Sequence, residues 1–405
     1  MSQRVRRRAH CIISVREEPD LDVDAFLGGT VRFHQRPRAR LLCSLTGEAI
    51  ALTRADLTAL SSLDGGAFTD LEDASRQCGS SPEHLWDMVE RGVLVASPGT
   101  HALSDRLLDA EARQTAIGWH PLAAVYQTHT GWSAMVGREG ERDHSDAAHR
   151  RRLETLAQRR GPPPPHFHVR QDAGTRHRLP AEPFDDPFAE VFRKRRTCRH
   201  FDALAWLPQE ALGRVLRGTF GALGTAELAP GMVAVKRSSA SGGALHPVDA
   251  YLLVIRVEGL APGWYHYRGD LHGLDELRTM GEDAARELVS RLTIGQHYFA
   301  EAHALAFHVA RIDRHHWKYR DHPKALKAVM MDTGHLSQTF YLLAAERGLG
   351  AFFTAAINDR DAAAELGLDP LREIVLGANG VGVIDPSRNE LDFVAAAFTP
   401  KGDET

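Results

Sequence analysis

The segment RRTCRHF, residues 195–201, follows a short stretch in which the apolar residues Phe188, Val191 and Phe192 recur at helical spacing. It places three arginines and a hydroxyl at the end of a predicted amphipathic helix. The guanidinium group is planar, stays charged and bonds in two places, so these residues are suited to hold a phosphate or a ring that gains negative charge on reduction. The alternative is a solvated basic surface, because cations are favoured at helix C-termini.

A second polar segment, RSSASGGALHP at residues 237–247, leads into the strand-like run Ala250–Val257. Paired glycines let the backbone approach a ligand closely, and the serines offer hydroxyl groups. The alternative is a flexible surface turn, which Gly/Ser segments commonly form.

The sequence around these segments predicts a mixed α and β domain. Further strand-like runs occur at Ala304–Ala310, Ile374–Ala378 and Leu391–Ala397, and a long helix is predicted from Pro323 to Arg347. The later part of this helix is apolar on most sides, which indicates a buried central helix or part of a subunit interface.

Together, the two segments resemble the nitroreductase-like FMN family, which opens with an Arg-Arg-Ser-x-Arg-x-Phe element. The form of the second segment is similar to the SagB-type branch of peptide-maturation (azoline) dehydrogenases. Three further stretches agree with that branch: GWYHY at 263–267, DTGHLSQ at 332–338 and the run 349–370. The resemblance covers about residues 185–385. It implies an α+β fold with a central antiparallel or mixed sheet wrapped by helices, FMN as the cofactor and an intertwined homodimer.

The resemblance also assigns roles to single residues. It implies that FMN is contacted by Arg195, Arg196, Thr197, Arg199, Ser238, Ser241, Gly242, Gly243, Ala356 and Ile357, with the Ser/Gly loop acting across the dimer interface. His246 stands where the family often has Tyr, and we expect it to face the substrate together with His335. Asp332 replaces the family's usual Glu, and Ala356-Ile357-Asn358 replaces Gly-Phe-Asp.

Lys318 and Tyr319 occupy the place of a Lys-Tyr pair that the azoline dehydrogenases carry just before the Gly-His helix. Forming a C=C or C=N bond requires loss of a proton while a hydride leaves, and a lysine with a pKa lowered by burial, or a tyrosinate, could take that proton. Only six of the 49 basic residues are lysines, so a lysine here is notable. The alternative is a surface cation in a loop.

The N-terminal residues 1–112 predict a separate winged-helix-like domain. The domain begins with four strand-like runs, at Cys11–Val15, Thr30–His34, Arg40–Leu45 and Ala49–Leu52. Three helices are then predicted to start at Thr53, at Thr69, which forms a capping box with Glu72, and at Ser81. The strand Val93–Ala96 ends the domain. The third helix, Pro82–Arg91, carries three carboxylates against one arginine, so we expect the domain to bind the leader of a precursor peptide rather than DNA. The alternative is a purely structural cap.

Residues 113–183 are predicted to form a connector that packs on the catalytic domain and contains a helix at Ser145–Arg160 and a proline run. Residues 184–405 are predicted to form the FMN-binding catalytic domain. The net charge of −4 also argues against nucleic acid. No apolar run is long enough to span a bilayer and no signal peptide follows Met1, which predicts a cytoplasmic protein. The four cysteines form no CxxC pair and the histidine clusters at 166–168 and 315–322 lack metal-site spacing, so no metal is predicted.

These observations predict an FMN-dependent oxidoreductase that oxidises residues of a ribosomally made precursor peptide, by azoline-to-azole conversion or a related desaturation. A cyclodehydratase or another maturation enzyme is a candidate partner. The main alternative is an NAD(P)H-dependent nitroreductase or quinone reductase that acts on small molecules. A peptide-binding protein with a decayed flavin site is a third reading.

Overall fold

The computed structural model describes residues 3–137, 146–167, 170, 172, 174–175, 177, 179–180 and 184–388. The chain divides into two compact units. The first contains Met1–Gly131 with the two later segments Ile312–Ala328 and Asp369–Arg372. The second contains Trp132–Arg311, Val329–Leu368 and Glu373–Thr405. The domain boundaries at residues 112 and 183 that the sequence suggests stay a prediction.

The elements up to Gly131 are four longer and two short strands with six helices, in the order β1 Arg4–Arg7, β2 Cys11–Leu21, α1 Val23–Leu27, β3 Phe33–Cys43, β4 Ala49–Leu52, α2 Arg54–Ser62, β5 Thr69–Asp70, α3 Leu71–Cys78, α4 Pro82–Glu90, β6 Leu94–Ala96, α5 Ala102–Ile117 and α6 Pro121–Thr130. A small antiparallel sheet of order β5-β1-β6 lies with the three helices α2, α3 and α4, and a second sheet has the order β2-β3-β4. Whether this arrangement is a winged helix remains a prediction.

The N-terminal caps of these three helices were predicted correctly in two of three cases. Thr53 and Asp56 form a reciprocal capping box, and the Ser81 hydroxyl caps the helix that begins at Pro82. The predicted capping box from Thr69 is wrong, because Thr69 pairs with Val5 in the sheet and the carboxylate of Asp70 caps the helix instead.

The β2–β3 ribbon is much longer than the runs predicted for it, since all eleven residues of each strand are paired. Arg40 and Glu18 form a two-pronged ion pair across it, and Asp20 lies between two arginines of the opposite strand. These cross-strand charge pairs extend the ribbon beyond its apolar part.

The elements after Gly131 are α7 Asp146–Arg160, α8 Pro187–Lys194, α9 Gln209–Phe220, β7 Gly224–Ala229, β8 Met232–Lys236, β9 Val248–Val254, β10 Gly263–Arg268, β11 Gly273–Thr279, α10 Glu282–Leu292, β12 Ala304–Arg311, α11 Ile312–His316, α12 Ala325–Glu346, β13 Gly350–Thr354, α13 Asp359–Leu366 and β14 Glu373–Gly382. Six strands form one antiparallel sheet of order β11-β10-β9-β12-β14-β13. The α+β class is thereby confirmed. The predicted strand Leu391–Ala397 lies outside the described residues.

The core of the second unit lies on this sheet. Seven of the eight residues of β12 are buried, and Phe307 packs with Trp264 of β10 and with other buried residues such as Phe299 and Phe352. The long helix α12 confirms the prediction for 323–347 in type and position. It is buried along one side only: Leu336 and Phe340 are at most 4% exposed, whereas Met331 is 56% exposed. None of the described helices is both long and apolar enough to cross a membrane.

Candidate active site

The arginine segment, residues 195–201, runs in extended form beside β13. Arg195 ends α8, and the backbone N–H of Cys198 donates to the Ala351 carbonyl at 2.8 Å. Thr197 forms an isolated parallel bridge with Ala351, and Cys198 and Phe201 are buried. This anchoring fixes the backbone of the segment, and the three arginines remain half-buried.

Tyr341 of α12 receives the start of this segment. The guanidinium of Arg195 lies 5.5 Å from the centre of the Tyr341 ring, within range of a cation–π contact. The Thr197 and Tyr341 hydroxyls lie 3.2 Å apart. Arg195 and Thr197 are therefore held on one side of α12.

Arg199 enters a separate hydrogen-bond chain. Its side chain bonds the hydroxyl of Tyr298, which donates to Gln296 Oε1 at 2.6 Å. Gln296 in turn donates to the Ala356 carbonyl at 3.4 Å. Burial raises the pKa of Tyr298 and the Arg199 guanidinium opposes that rise, so the phenol stays protonated. Tyr298 and Gln296 together connect Arg199 with Ala356, two residues expected to contact FMN. The neighbouring Ile357 is 2% exposed.

The Ser/Gly loop is fastened to α12 by Asp332. The Ser241 hydroxyl donates to Asp332 Oδ2 at 2.5 Å, and the Gly242 N–H donates to Asp332 Oδ1 at 3.0 Å. The His246 N–H donates to the same Ser241 oxygen at 2.9 Å. The loop also needs left-handed backbone, with φ of 63° at Gly243 and 46° at His246.

Further bonds hold the other predicted residues of this loop region. Ser238 donates to the Gly218 carbonyl of α9. Nδ1 of His335 lies 3.1 Å from the Ala240 carbonyl, which can only accept, so Nδ1 carries the proton. In the neutral ring, Nε2 of the exposed His335 is then left as an acceptor.

The two segments contact opposite sides of α12. Tyr341 follows Asp332 by nine residues, which is two and a half helical turns at 3.6 residues per turn. His335 and Thr339, which also bond the loop region, lie on the Asp332 side. One chain therefore keeps the arginine segment and the Ser/Gly loop apart rather than bringing them around one cavity.

Lys318 and Tyr319 belong to the first compact unit. They follow α11, and both of their N–H groups bond the His315 carbonyl, at 3.3 and 3.2 Å. Nζ of Lys318 lies 5.7 Å from the centre of the Tyr319 ring. Lys318 is exposed and Tyr319 is half-buried, so burial within the chain does not supply the desolvation that the sequence reasoning invoked.

A cavity of about 630 Å³ lies elsewhere in the second unit, between α9 and the β10–β11 hairpin. Its lining includes Leu212, Arg217, Tyr267 and His272 and contains none of the residues predicted to bind FMN. Volume alone therefore does not identify the candidate site, which is defined by the fixed polar segments beside α12.

Four residues that contact the candidate site were not predicted in these roles. Asp332 was noted only as a substitute for Glu, and Tyr341 lies in the part of α12 described only as apolar, while Tyr298 and Gln296 carried no signal. The spacing of Asp332 and His335 on one helix side, three residues apart, was the signal that could have paired them with the loop.

Comparison with known proteins finds similarity in the C-terminal half of the chain. Residues 192–383 match the sequence model described as the Nitroreductase family. The trifolitoxin-processing protein TfxB of Rhizobium leguminosarum bv. trifolii is 29% identical over 36% of this chain and 39% of its own length. A nitroreductase-type protein of Methanocaldococcus jannaschii, MJ1384, is 30% identical over 30% of this chain and 59% of its own. The chain thus spans well under two thirds of these curated relatives.

Two solved structures illustrate the structural neighbours. A chain of the E. coli microcin synthetase McbBCD complex with truncated pro-MccB17 bound has a TM-score of 0.46 and 21% identity, covering 68% of this chain and 97% of that one. A nitroreductase-type protein of Desulfovibrio desulfuricans in complex with FMN has a TM-score of 0.35 and 15% identity, covering 53% and 93%. The similarity to the Nitroreductase family thus extends over residues 192–383 of this chain.

Proposed function

We propose that this chain is an FMN-dependent dehydrogenase that oxidises residues of a ribosomally made precursor peptide. The observation that carries the proposal is a nitroreductase-family domain in which the arginine segment and the Ser/Gly loop are both fixed against α12. The trifolitoxin-processing relative supports the choice of a peptide substrate. The chemistry is an azoline-to-azole oxidation or a related desaturation.

The family match bears out FMN as the cofactor, and the residues present suit it. When bound, FMN accepts the hydride that leaves the substrate. Arg195, Arg196 and Arg199 would supply permanent positive charge to a phosphate or to an anionic ring, and Thr197 a hydroxyl. Ala356 and Ile357 would border the same group, because Ala356 is tied to Arg199 through Tyr298 and Gln296.

We also propose a homodimer, in which the loop of Ser241, Gly242 and Gly243 completes the site of a second copy. The contacts with opposite sides of α12 support it, since Ser241 and Gly242 bond Asp332 whereas Arg195 and Thr197 contact Tyr341. The exposed side of α12 supports this, since Met330 and Met331 are 37% and 56% exposed and such apolar side chains are typical of interfaces. Ser238 would hold the loop's approach to the site through Gly218.

Lys318 and Tyr319 are proposed to take the substrate proton. The Lys318 side chain is exposed, so a bound peptide can reach its amine, and Tyr319 lies beside it. His246, on the Ser/Gly loop, and His335, with Nε2 free to accept, are proposed to orient the peptide.

The N-terminal unit is proposed to bind the leader of the precursor peptide. On α4 the carboxylates of Glu83 and Glu90 have no matching cation on that helix, since Arg91 is committed to Asp56 and Asp87 at 2.8 and 2.7 Å. That charge balance disfavours a nucleic-acid backbone and supports the proposal of a peptide partner. A cyclodehydratase that makes the azoline is proposed as a further partner. We also propose that the protein acts in the cytoplasm.

A second candidate function is an NAD(P)H-dependent nitroreductase acting on small molecules. The similarity to MJ1384 favours it, at 30% identity over 121 residues. This function requires the arginine segment and the loop but not Lys318 or Tyr319. The two proposals are therefore separated by the Lys-Tyr pair.

The test begins with the visible spectrum of the purified protein and identification of the released cofactor. The protein is then incubated with candidate precursor peptides, and the loss of two hydrogens per modified residue is followed by mass spectrometry. Lys318→Ala and Tyr319→Phe should each lower the rate by roughly 10²-fold, the typical contribution of a proton-transfer residue. Lys324→Ala, an exposed lysine of the same segment, is the matched control and should retain the wild-type rate.

Two results would contradict the proposal. A protein that neither contains nor takes up FMN removes the oxidoreductase. A yellow protein that leaves peptides unchanged but reduces nitroaromatics with NADPH, unaffected by Lys318→Ala, establishes the small-molecule function instead.

A further inference from the structure

The segment that carries Lys318 and Tyr319 packs within the N-terminal unit, although the sequence places it between β12 and α12. Ile312–Ala328 forms one compact unit with Met1–Gly131 and Asp369–Arg372. The first residue of this segment bonds the segment Asp369–Arg372, since the Ile312 N–H donates to the Arg372 carbonyl at 2.7 Å. The Lys-Tyr pair thus depends on long-range contacts with the N-terminal chain.

The turn between α5 and α6 holds this segment on both sides of the pair. Before the pair, the Trp119 ring meets the His316 ring edge-on, with ring centres 5.2 Å apart and planes at 84°. After the pair, the Asp321 N–H donates to the Gly118 carbonyl at 2.8 Å. Trp119 and His316 are 3% and 1% exposed, so the first contact is in the core of the unit.

Trp119 is itself fixed by a third segment. Its indole N–H donates to the Leu371 carbonyl at 2.8 Å. A buried Trp side chain whose N–H has a hydrogen-bond partner is held in one orientation. The His316 ring therefore rests on a side chain that has little freedom to move.

The pair follows directly from this anchor. Both Lys318 and Tyr319 donate their N–H groups to the His315 carbonyl, and the fully buried His315 ring lies against the Tyr319 ring with centres 5.0 Å apart. The backbone from 315 to 321 is consequently held by contacts at His316 and at Asp321, and the Lys-Tyr pair lies between these two contacts.

Gly118 permits the second of these contacts. It ends α5 in the left-handed conformation with φ of 82°. A Cβ at this position would overlap Cγ of Arg320 and lie 3.3 Å from its Cα. Because Arg320 directly follows Tyr319, an added methyl would push the backbone beside the pair.

We propose that Gly118 and Trp119 are positioning residues for the Lys318–Tyr319 pair. The inference rests on the proposed function, in which this pair takes the substrate proton. The N-terminal unit then has two roles: it binds the leader, and it fixes where the base stands. Disturbing the turn lowers turnover without weakening peptide binding.

The test uses the full-length, FMN-loaded protein and the Gly118→Ala variant. A shift of the base by roughly an ångström can cost on the order of 10²-fold in rate, so kcat for peptide oxidation should fall by about ten- to a hundredfold. KM for the peptide and the visible spectrum of bound FMN should stay as in the wild type. The pH dependence of the residual kcat should follow that of Lys318→Ala, because the base is misplaced in one and absent in the other.

Gly79→Ala is the matched control. Gly79 also ends a helix of the same unit in left-handed conformation, with φ of 63°, and has no atom within 4 Å of an added Cβ. It carries the same backbone strain without the contact, and its kcat should equal that of the wild type. Trp119→Phe is a milder second variant that keeps an aromatic ring against His316, loses the bond to Leu371 and should lower kcat severalfold.

The outcomes are distinguishable. If Gly118→Ala and Trp119→Phe both match Gly79→Ala while Lys318→Ala is impaired, the positioning role is refuted and the proposed function stands. If Lys318→Ala and Tyr319→Phe oxidise the peptide at the wild-type rate, the base assignment fails and the positioning role fails with it.

Discussion

Asp332→Ala is the sharpest perturbation of the proposed FMN site. The carboxylate is 4% exposed and uses both oxygens on the Ser/Gly loop, one for the Ser241 hydroxyl and one for the Gly242 N–H. Hydrogen bonds to a charged acceptor contribute about 1.5–3 kcal/mol each. Both donors are half-buried and regain some water when the carboxylate is removed. We therefore expect the loop's ordered conformation to lose about 2–3 kcal/mol.

If the loop contacts FMN only in this conformation, the loss appears in cofactor affinity. At about 1.4 kcal/mol per factor of ten, it corresponds to a Kd for FMN about 30- to 150-fold higher. The assay is titration of apoprotein into FMN with the quenching of flavin fluorescence as the signal. Asp332→Glu is the control, since it keeps the carboxylate and should change the Kd by only a few-fold.

A double-mutant cycle with Ser241→Ala tests the route of the effect. Residues in direct contact show coupling energies of about 0.5–3 kcal/mol, so the two substitutions should be less than additive. An FMN affinity within twofold of wild type for Asp332→Ala would refute the reasoning. Full additivity would show that Asp332 acts on the cofactor by another path.

Other predictions concern assembly, pH and folding. Arg195→Ala and Gly243→Val should each inactivate the homodimer. Co-expression of the two variants should recover about a quarter of the wild-type activity, because half of randomly formed dimers are mixed and each mixed dimer has one intact site of two. No recovery would argue against a site shared between subunits. Burial lowers the pKa of His308 to about 4, so the folded state binds fewer protons than the unfolded state at acidic pH. The free energy of unfolding should therefore fall as the pH drops from about 6.5 toward 4, by about 2 kcal/mol at pH 5. His308→Gln should reduce this acid-side loss of stability in thermal unfolding measured as a function of pH. Asp56→Ala removes a fully buried partner of Arg91 and should destabilise the N-terminal unit by about 2–3 kcal/mol in urea unfolding while the flavin spectrum is retained.

Much of the second unit could be predicted because its signals are local. The apolar runs that became β9, β12 and β14 are short and β-rich, and α12 carries a helical pattern over more than twenty residues. Gly92 signalled the end of α4, because glycine readily adopts the left-handed conformation that it has here, with φ of 71°. The Thr69 capping box failed because pairing with Val5 outweighed a local preference.

The predicted residues of the candidate site stay predictions, and their arrangement carried no signal in the sequence. The arginine segment and the Ser/Gly loop were singled out by their residue types and by the family resemblance, yet neither shows that the two segments contact opposite sides of α12. That relation depends on Asp332 and Tyr341, which are separated from their partners by 91 and 144 positions along the chain. The surroundings of Lys318 depend likewise on Gly118 and Trp119, some two hundred residues earlier.

The contacts of the Lys-Tyr segment also decide how a truncation should be read. Deleting Met1–Gly131 removes Trp119 and Gly118 together with the proposed leader site, and it uncovers the fully buried ring of His315. Loss of peptide oxidation in such a protein would follow equally from lost leader binding and from a displaced base. Only substitutions separate the two, because Gly118→Ala leaves the rest of the unit in place and predicts a lower kcat with an unchanged KM. A leader-binding defect predicts the reverse, a raised KM that saturating peptide overcomes.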